Sequence, residues 1–294
     1  MDAWIAEAEI GADSYHLKAV TRVLEAIRMQ PDQPLTLQQM SRIAFISRHH
    51  FIRIFRRQVG IPPMRYQWVM RLAHAKRLLV ETEMSVIEVC FEAGYNSLGT
   101  FTRRFTSLVG IPPHHFRLAA RSFDRKRLSE LISCLDQDVG PLPPARIAGE
   151  IHAPAGFDGF VLIGLFPAGD VHALPRACCA LTHPGRFEFG SVADGAYVLK
   201  AAAIPRFGPI LDYFVHDQAL RAAAAGPLVV HDGLVSGTTS LELRHPKVTD
   251  LPILAGLVPL LEARFSYDRR FNLALFAARA ATTGFGSISA AGGM

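Results

Sequence analysis

Two stretches of the chain decide the fold: residues 45–67 read FISRHHFIRIFRRQVGIPPMRYQ, and residues 95–117 read YNSLGTFTRRFTSLVGIPPHHFR. Aligned at an offset of fifty, they are identical at nine of 23 positions. The identical pairs are Ser47/Ser97, Phe51/Phe101, Arg53/Arg103, Phe55/Phe105, Val59/Val109, Gly60/Gly110, Ile61/Ile111, Pro62/Pro112 and Pro63/Pro113. Two copies are too few for a solenoid, which needs about three or more repeats. The pattern therefore predicts two copies of one supersecondary unit.

The first copy is predicted to form a helix, a tight turn and a second helix. Thr36 is the expected N-cap of the first helix, because apolar residues follow it at helical spacing. Residues 44–46 form the turn, Ser47 caps the second helix, and Gly60 ends that helix before Pro62. This order is the helix-turn-helix arrangement.

The second copy repeats that order with its own residues. Ser85 precedes the first helix, Gly94 lies in the turn, Ser97 caps the second helix and Gly110 ends it. Between the copies, residues 62–81 predict one long helix of roughly 18 residues, about 27 Å at 1.5 Å per residue. Recognition helices that far apart could reach successive major grooves, about 34 Å apart, if the DNA bends or the units tilt.

The second helix of each copy divides into two faces. Phe51, Phe55 and Val59 lie within about 80° of one another, so this face is expected to be buried. The opposite face holds His49, Ile52, Arg53 and Arg56 in the first copy, and Gly99, Thr102, Arg103 and Thr106 in the second. An Arg there can pair with guanine through two hydrogen bonds, and a Thr can contact a thymine methyl.

Within residues 17–121 the chain carries a series of short motifs. The motifs are Ala93-Gly94-Tyr95-Asn96-Ser97, Phe101-Thr102-Arg103-Arg104-Phe105, Val109-Gly110-Ile111-Pro112-Pro113 and, in the long helix, Arg71-Leu72-Ala73-His74-Ala75-Lys76-Arg77-Leu78-Leu79. Their order and duplication resemble the AraC/XylS transcription regulators, whose DNA-binding domain is two helix-turn-helix units joined by a long helix. This resemblance covers residues 17–121 and implies a DNA-binding domain over residues 13–122.

The resemblance also implies which residues contact DNA. Carried over position by position, the base-reading face falls on His49, Ile52, Arg53, Gly99, Thr102 and Arg103. The expected phosphate contacts, which position the protein without specifying sequence, are Arg42, Ser47, Arg56, Arg57, Arg65, Ser97 and Arg104. The family usually has Lys after the last Phe of each recognition helix, where this chain has Arg56 and Thr106. We therefore expect the first unit to supply most of the base discrimination.

The charge distribution agrees with a nucleic-acid-binding half. Residues 1–127 carry 19 Lys+Arg and 11 Asp+Glu, a net charge of +8, whereas the rest of the chain has a net charge of −3. The apolar runs are shorter than the roughly 20 residues of a membrane span, and the N-terminus does not resemble a signal peptide. We expect a cytoplasmic protein with free thiols at its four cysteines.

The second half has a different periodicity. Residues 124–139 predict an amphipathic helix, and residues 140–144 (GPLPP) predict a stiff linker, so we assign residues 123–144 to the connection. The seven predicted strands are 146–152, 160–166, 177–182, 186–189, 196–203, 227–230 and 240–244. They predict an antiparallel β-sandwich over residues 145–249, which resembles the carboxypeptidase-regulatory, transthyretin-like β-sandwiches. Residues 250–294 are expected to be an apolar extension with a disordered tail.

This second half contains no recognisable catalytic motif. We expect no catalytic residue, no metal site and no cofactor. The scattered His172, His183, His216 and His231, and the adjacent Cys178 and Cys179, do not have the spacing of a metal site. An enzyme or repair protein that uses the basic half for delivery, a regulator with a small-molecule-sensing GyrI-like domain, and a DNA-binding architectural protein without sequence preference stay as alternatives.

Together these features predict a multidomain fold class: an all-α double helix-turn-helix domain followed by an all-β domain. The predicted function is sequence-specific DNA binding in transcription regulation, without enzymatic activity. Double-stranded operator DNA and RNA polymerase are the expected partners. A small-molecule effector and a homodimer are further candidates, and the second domain would sense the effector or mediate assembly.

Overall fold

The structure, a computed structural model, describes residues 2–137, 147–169, 174–190 and 192–260, except for the side chains of residues 2–13 and 134–137. Its N-terminal part is helical. The helices are α1 (Asp2–Met29), α2 (Leu37–Ala44), α3 (Arg48–Val59), α4 (Pro63–Glu81), α5 (Val86–Glu92), α6 (Leu98–Val109), α7 (Pro113–Arg121) and α8 (Arg125–Gln137). Helices α2–α3 and α5–α6 are the two helix-turn-helix units, and α4 is the long helix between them.

Local sequence explains where the units begin. Thr36 and Ser85 each accept a hydrogen bond from the backbone N–H three residues on, and the side chains of Gln39 and Glu88 complete both capping boxes. Ser47 also occupies the N-cap position of α3, but its side chain makes no capping hydrogen bond. The predicted capping role of Ser47 is therefore wrong, although the predicted helix start is correct.

Residues with positive φ form the turns and end the recognition helices. Phe45 (φ 55°) and Gly94 (φ 76°) lie in the two turns, and Gly60 (φ 86°) and Gly110 (φ 99°) end α3 and α6. Glycine adopts this left-handed conformation at little steric cost, whereas an L-residue with a Cβ is strained there. The left-handed residue is thus a phenylalanine in the first turn and a glycine, one position earlier in the repeat, in the second.

Matching aromatic side chains form the core of the two units. In the first, Phe51 contacts Phe55, and Phe55 contacts Tyr66 of α4, with ring centroids 5.5 and 5.6 Å apart. In the second, Phe105 contacts both Phe101 and Phe116, at 5.6 and 5.5 Å. These side chains are completely buried, so the predicted aromatic core face is confirmed.

The C-terminal part contains two sheets. Its strands are β1 (Ile147–His152), β2 (Gly159–Pro167), β3 (Ala177–Leu181), β4 (Arg186–Phe189), β5 (Gly195–Pro205), β6 (Leu220–Ala223), β7 (Leu228–His231), β8 (Leu234–Ser236) and β9 (Ser240–Glu242). The small sheet has the order β4-β1-β9. The large sheet has the order β3-β2-β5-β7-β8, with β6 also paired to β5. Most pairs are antiparallel, as predicted.

Three features of this part differ from the prediction. Strands β6 and β8 and the short helix α9 (Ile210–Phe214) were not predicted. Short length alone does not explain the missed strands, since β7 and β9 are as short and were predicted. Strand β6 reads Leu-Arg-Ala-Ala, and alanine is depleted in strands. Strands β1 and β9 pair in parallel, so the domain is not purely antiparallel. Finally, the presence of α9 means that the domain is not all-β as predicted.

Both faces of the large sheet are covered. One face packs against the small sheet, and the shared core includes Ile151, Leu165 and Phe187. On the other face Phe160, Leu162 and Ile204 belong to the same buried cluster as the helical core. The two halves therefore share a hydrophobic core.

Polar contacts add to this packing. The Lys76 Nζ of α4 donates a hydrogen bond of 2.9 Å to the Ile253 carbonyl, and the Arg28 guanidinium donates to the Val248 carbonyl. The rings of Phe116 and Phe214 also meet, with centroids 5.6 Å apart. Residues 250–260, the first part of the predicted apolar extension, pack on the helices through side chains such as Leu254. The predicted linker at 140–144 and residues 261–294, which include the predicted tail, lie outside the described residues.

None of the helices in the described part of the chain has both the length and the apolar character that crossing a bilayer requires.

Candidate nucleic-acid interface

The outward face of α3 presents the base-reading residues predicted for the first unit. His49 and Arg53 are exposed, Ile52 is half-buried, and Arg56 lies exposed one turn beyond Arg53. The buried residues of α3 include Ile54 in addition to the predicted aromatic face. The helix therefore keeps its apolar side in the core and directs imidazole and guanidinium groups outward, where they can donate hydrogen bonds to base edges.

The outward face of α6 is less polar. Gly99 and Arg103 are exposed and Thr102 is half-buried. A Cβ added at Gly99 would meet nothing closer than the Ser97 Oγ at 4.0 Å, so the absence of a side chain leaves open space there. The Thr106 hydroxyl donates to the Thr102 carbonyl at 2.8 Å within the same helix. Arg103 is thus the single charged residue among the predicted base contacts of this unit.

The predicted phosphate contacts lie in different surroundings. All seven are exposed, six of them on the two units and Arg65 at the start of α4: Arg42, Ser47, Arg56, Arg57, Arg65, Ser97 and Arg104. Ser97 accepts a long capping bond of 3.4 Å from the Thr100 N–H. The Arg57 guanidinium lies 3.4 Å from the His16 Nδ1 of α1, at the end of α3 that faces the second half of the chain. Arg57 is therefore the member of the set closest to the junction of the two halves.

Three residues that we did not single out hold this surface in place. Arg22 of α1 donates to the Ile43 and Ala44 carbonyls at the turn of the first unit, both at 3.3 Å. Arg71 of α4 donates to the Gly94 carbonyl in the second turn at 3.4 Å. Trp68 of α4 lies under the Arg104 guanidinium, 4.4 Å from ring centroid to Cζ. No sequence pattern identifies these contacts, since each joins residues more than twenty positions apart.

Acidic residues of the helical domain lie away from the reading faces. Between residues 34 and 121 there are 13 Lys+Arg and four Asp+Glu, and the four acids fall between Glu81 and Glu92. Glu81 pairs with Arg77, and Glu83 pairs with Arg121. Glu88 is engaged in its capping box, where hydrogen bonds from Ser85 lower the pKa of the Glu88 carboxyl. The exposed face of α3 is consequently cationic.

One group of potential metal ligands occurs in the described residues. Oxygen and nitrogen atoms of Asp194, His231 and Asp232 lie within 4.8 Å of one another at the β7–β8 turn, and all three residues are exposed. The Asp194 carboxylate accepts a hydrogen bond of 3.0 Å from the Asp232 N–H. This contact stabilises a turn in which Asp232 has a φ of 48°. Asp194 lies far from His231 and Asp232 in the sequence, so the pairing of β5 with β7 brings the three together.

Comparisons with known proteins match the helical domain. Residues 40–119 match a family described as a helix-turn-helix domain. An uncharacterized HTH-type transcriptional regulator of Haemophilus influenzae is 33% identical over 100 residues, which is 34% of each chain. The melibiose operon regulatory protein of Escherichia coli K12 is 28% identical over 98 residues, 33% of this chain and 32% of that protein. The chain thus matches about a third of the length of these relatives.

Solved structures give a match of similar extent. A probable AraC family transcriptional regulator from Rhodopseudomonas palustris is 28% identical, with a TM-score of 0.33, over 35% of this chain and 97% of that one. The family match and the named relatives agree with the predicted helix-turn-helix units, and the relatives are named as transcription regulators. Residues 40–119 are therefore a helix-turn-helix domain similar to those of bacterial transcription regulators.

Proposed function

We propose that this protein is a sequence-specific DNA-binding transcription regulator of the AraC/XylS type, with its DNA-binding domain placed first. The observation that supports this most is the duplicated helix-turn-helix unit, in which both recognition helices expose a polar face. The second half of the chain packs on other surfaces, through Lys76 and Phe116 of α4 and α7. Both recognition faces are therefore accessible to a duplex.

In the proposed complex the two units occupy successive major grooves. Helix α4 has 19 residues, which span roughly 28 Å at 1.5 Å per residue. This is shorter than the groove repeat of about 34 Å, so a modest bend of the DNA or a tilt of the units accompanies binding. His49, Ile52 and Arg53 contact bases from the first unit, and Gly99, Thr102 and Arg103 lie at the bases in the second.

The second half is proposed to regulate this activity by sensing an effector or by mediating assembly. Its packing against α4 and α7 supports this role, because a change in the sheet would reach the helix that separates the two units. Operator DNA and RNA polymerase are the proposed partners, the cytoplasm is the proposed location, and a homodimer is one form that assembly could take.

Selection of bound duplexes from a random pool, at one fixed and stated salt concentration, tests the proposal. The expected result is a recovered motif with two half-sites about one helical turn apart. The matched control is the full chain with both Arg53→Ala and Arg103→Ala, which should recover a degenerate motif. Equal recovery of all sequences by the unaltered protein would instead identify an architectural protein without sequence preference.

A further inference from the structure

A cavity of about 600 Å³ lies between the large sheet and the helical domain. One wall is formed by β2, β5 and β6, on the face of the large sheet that points toward the helical domain. The opposite walls are the C-terminal end of α3 at residues 57–60, Leu108 of α6, and residues 249–255. Cavities of roughly 300–1,000 Å³ are typical of small-molecule sites. The cavity thus touches both recognition helices and the proposed regulatory half.

Small side chains on the sheet explain why this space exists. Gly164 pairs with Cys178 on β3, and Ala202 lies between Leu162 and Arg221 on the neighbouring strands. Further along the same face, the larger Phe160 and Ile204 fill the gap to the helices. Gly164, Cys178 and Ala202 are smaller than these side chains, so an apolar space is left between the sheet and the helices at their positions.

The charged residues around the cavity favour an anion. Four basic residues and one acidic residue line it: Arg57, Lys200, Arg221, Arg244 and Asp250. Asp250 accepts hydrogen bonds of 2.7 and 2.9 Å from the Arg244 guanidinium, which uses both oxygens of the one carboxylate. The remaining lining is mostly aliphatic, including Leu162, Leu251 and Leu257.

Arg221 is the group best placed to bind that anion. Its guanidinium donates to the Leu251 and His216 carbonyls, and its buried Nε has no hydrogen-bond partner among the described residues. Asp250 and Asp217 attract Arg221 electrostatically without hydrogen bonding to it in the described part of the chain. A guanidinium held by neutral acceptors gains a charge-assisted hydrogen bond when a carboxylate approaches.

We propose that this cavity binds an apolar organic carboxylate, with the hydrocarbon portion over Ala202 and the carboxylate at Arg221. The inference deepens the proposed function, because it names the site and the chemical class of the effector. Ligand contact at the C-terminal end of α3 would couple occupancy of the cavity to the placement of the first helix-turn-helix unit. By thermodynamic linkage, DNA would change the ligand affinity by the same factor.

Isothermal titration of the full chain with decanoate and with decan-1-ol tests the site. Decanoate should bind saturably at one site. Decan-1-ol has a hydrocarbon tail of the same length but no charge, and its affinity should be lower by a factor of about ten or more. Arg221→Met should abolish the preference for decanoate while decan-1-ol still binds, and Arg221→Lys should keep part of it. Retained binding of decan-1-ol also shows that each Arg221 variant is folded.

A second pair of variants tests the cavity itself. Ala202→Leu adds three carbons inside the cavity and should weaken both ligands. Ala196→Leu makes the same change at an exposed position of the same strand, outside the cavity lining, and should weaken neither. Thermal melts followed by circular dichroism confirm that both variants fold.

Three results would overturn the inference: no saturable binding of decanoate, an unchanged preference in Arg221→Met, or unchanged binding in folded Ala202→Leu. Because these titrations contain no DNA, they are independent of the random-pool selection. DNA binding without decanoate binding would leave the proposed function standing and remove this site. A titration with operator DNA present that gives an unchanged decanoate affinity would overturn the coupling.

Discussion

At the scale of the residue, two arginines in equivalent positions are expected to have unequal roles. Arg53 shares its exposed face with Arg56, whereas Arg103 has Gly99 and Thr106 as neighbours, and the Thr106 hydroxyl is bound within the helix. Arg53→Ala should therefore reduce discrimination between the operator and competitor DNA by about 1–3 kcal/mol. Arg103→Ala should weaken binding with a smaller loss of discrimination.

Competition binding with matched operator and random duplexes, at several salt concentrations, measures both effects. Arg42→Ala is a suitable control, because loss of a phosphate contact should weaken binding to all sequences alike and reduce the salt slope by about one. A larger loss of discrimination from Arg103→Ala than from Arg53→Ala would contradict the predicted division of roles.

At the scale of the element, the glycines that end α3 and α6 provide a matched pair. Both have positive φ, so Ala at either position is strained by roughly 1–2 kcal/mol. A Cβ at Gly60 would meet nothing within 4 Å, but at Gly110 it would lie 2.7 Å from the Leu260 Cδ2. Gly110→Ala should therefore lower the free energy of unfolding more than Gly60→Ala does.

Urea denaturation of the two variants measures this difference. The double variant Gly110→Ala, Leu260→Ala removes the side chain that the new methyl group would meet. In that background the cost of Gly110→Ala should fall to about that of Gly60→Ala. Equal costs in the unaltered background would indicate that Leu260 moves aside freely.

At the scale of the whole molecule, a lysine is buried where the two halves meet. Burial lowers the pKa of Lys76 to about 7, and Asp217 partly opposes that shift. The neighbouring His216 is also buried, and its pKa lies well below the usual range, mainly because of desolvation and secondarily because of Lys76. Although burial disfavours its charged form, the Lys76 Nζ has two contacts that suit an ammonium group. It donates to the Ile253 carbonyl and lies 5.7 Å from the Phe116 ring centroid.

This burial predicts a stability that rises with pH. Between pH 7 and the ordinary lysine pKa of about 10.4, the unfolded chain binds the proton that folded Lys76 has released, so raising the pH favours the folded state. From pH 7 to pH 9 the protein should gain about 2 kcal/mol relative to Lys76→Met. His216 contributes little in this range, because it is neutral in the folded state and mostly neutral above pH 7 in the unfolded state.

Urea denaturation of the unaltered protein and of Lys76→Met across this pH range tests the prediction. Lys126→Met, at an exposed position of α8, is the control and should follow the unaltered protein at every pH. A constant difference between the unaltered protein and Lys76→Met from pH 7 to pH 9 would show that Lys76 keeps its proton.

The parts that could be predicted from sequence are those that depend on local interactions. Thr36, Ser85, Gly60 and Gly110 mark helix ends because a cap or a left-handed residue acts within one turn of the chain. The spacing of Phe51 and its neighbours likewise predicts the buried face. Strand β6 was missed because its sequence, Leu-Arg-Ala-Ala, is rich in alanine, which is depleted in strands, and its pairing with β5 is a tertiary contact. Helix α9 was missed because its five residues make less than two helical turns.

By itself, the sequence determined the two helix-turn-helix units and the side chains they expose, since helix periodicity and capping depend on neighbouring residues. Only the tertiary structure decided how the halves meet. Gly60 and Gly110 occupy identical sequence contexts, yet one is exposed and the other lies against Leu260. Lys76 belongs to a motif of the long helix but is buried, and its ammonium group donates to the Ile253 carbonyl, 177 positions away. Contacts between residues so distant in sequence depend on packing, and no local pattern in the chain specifies them.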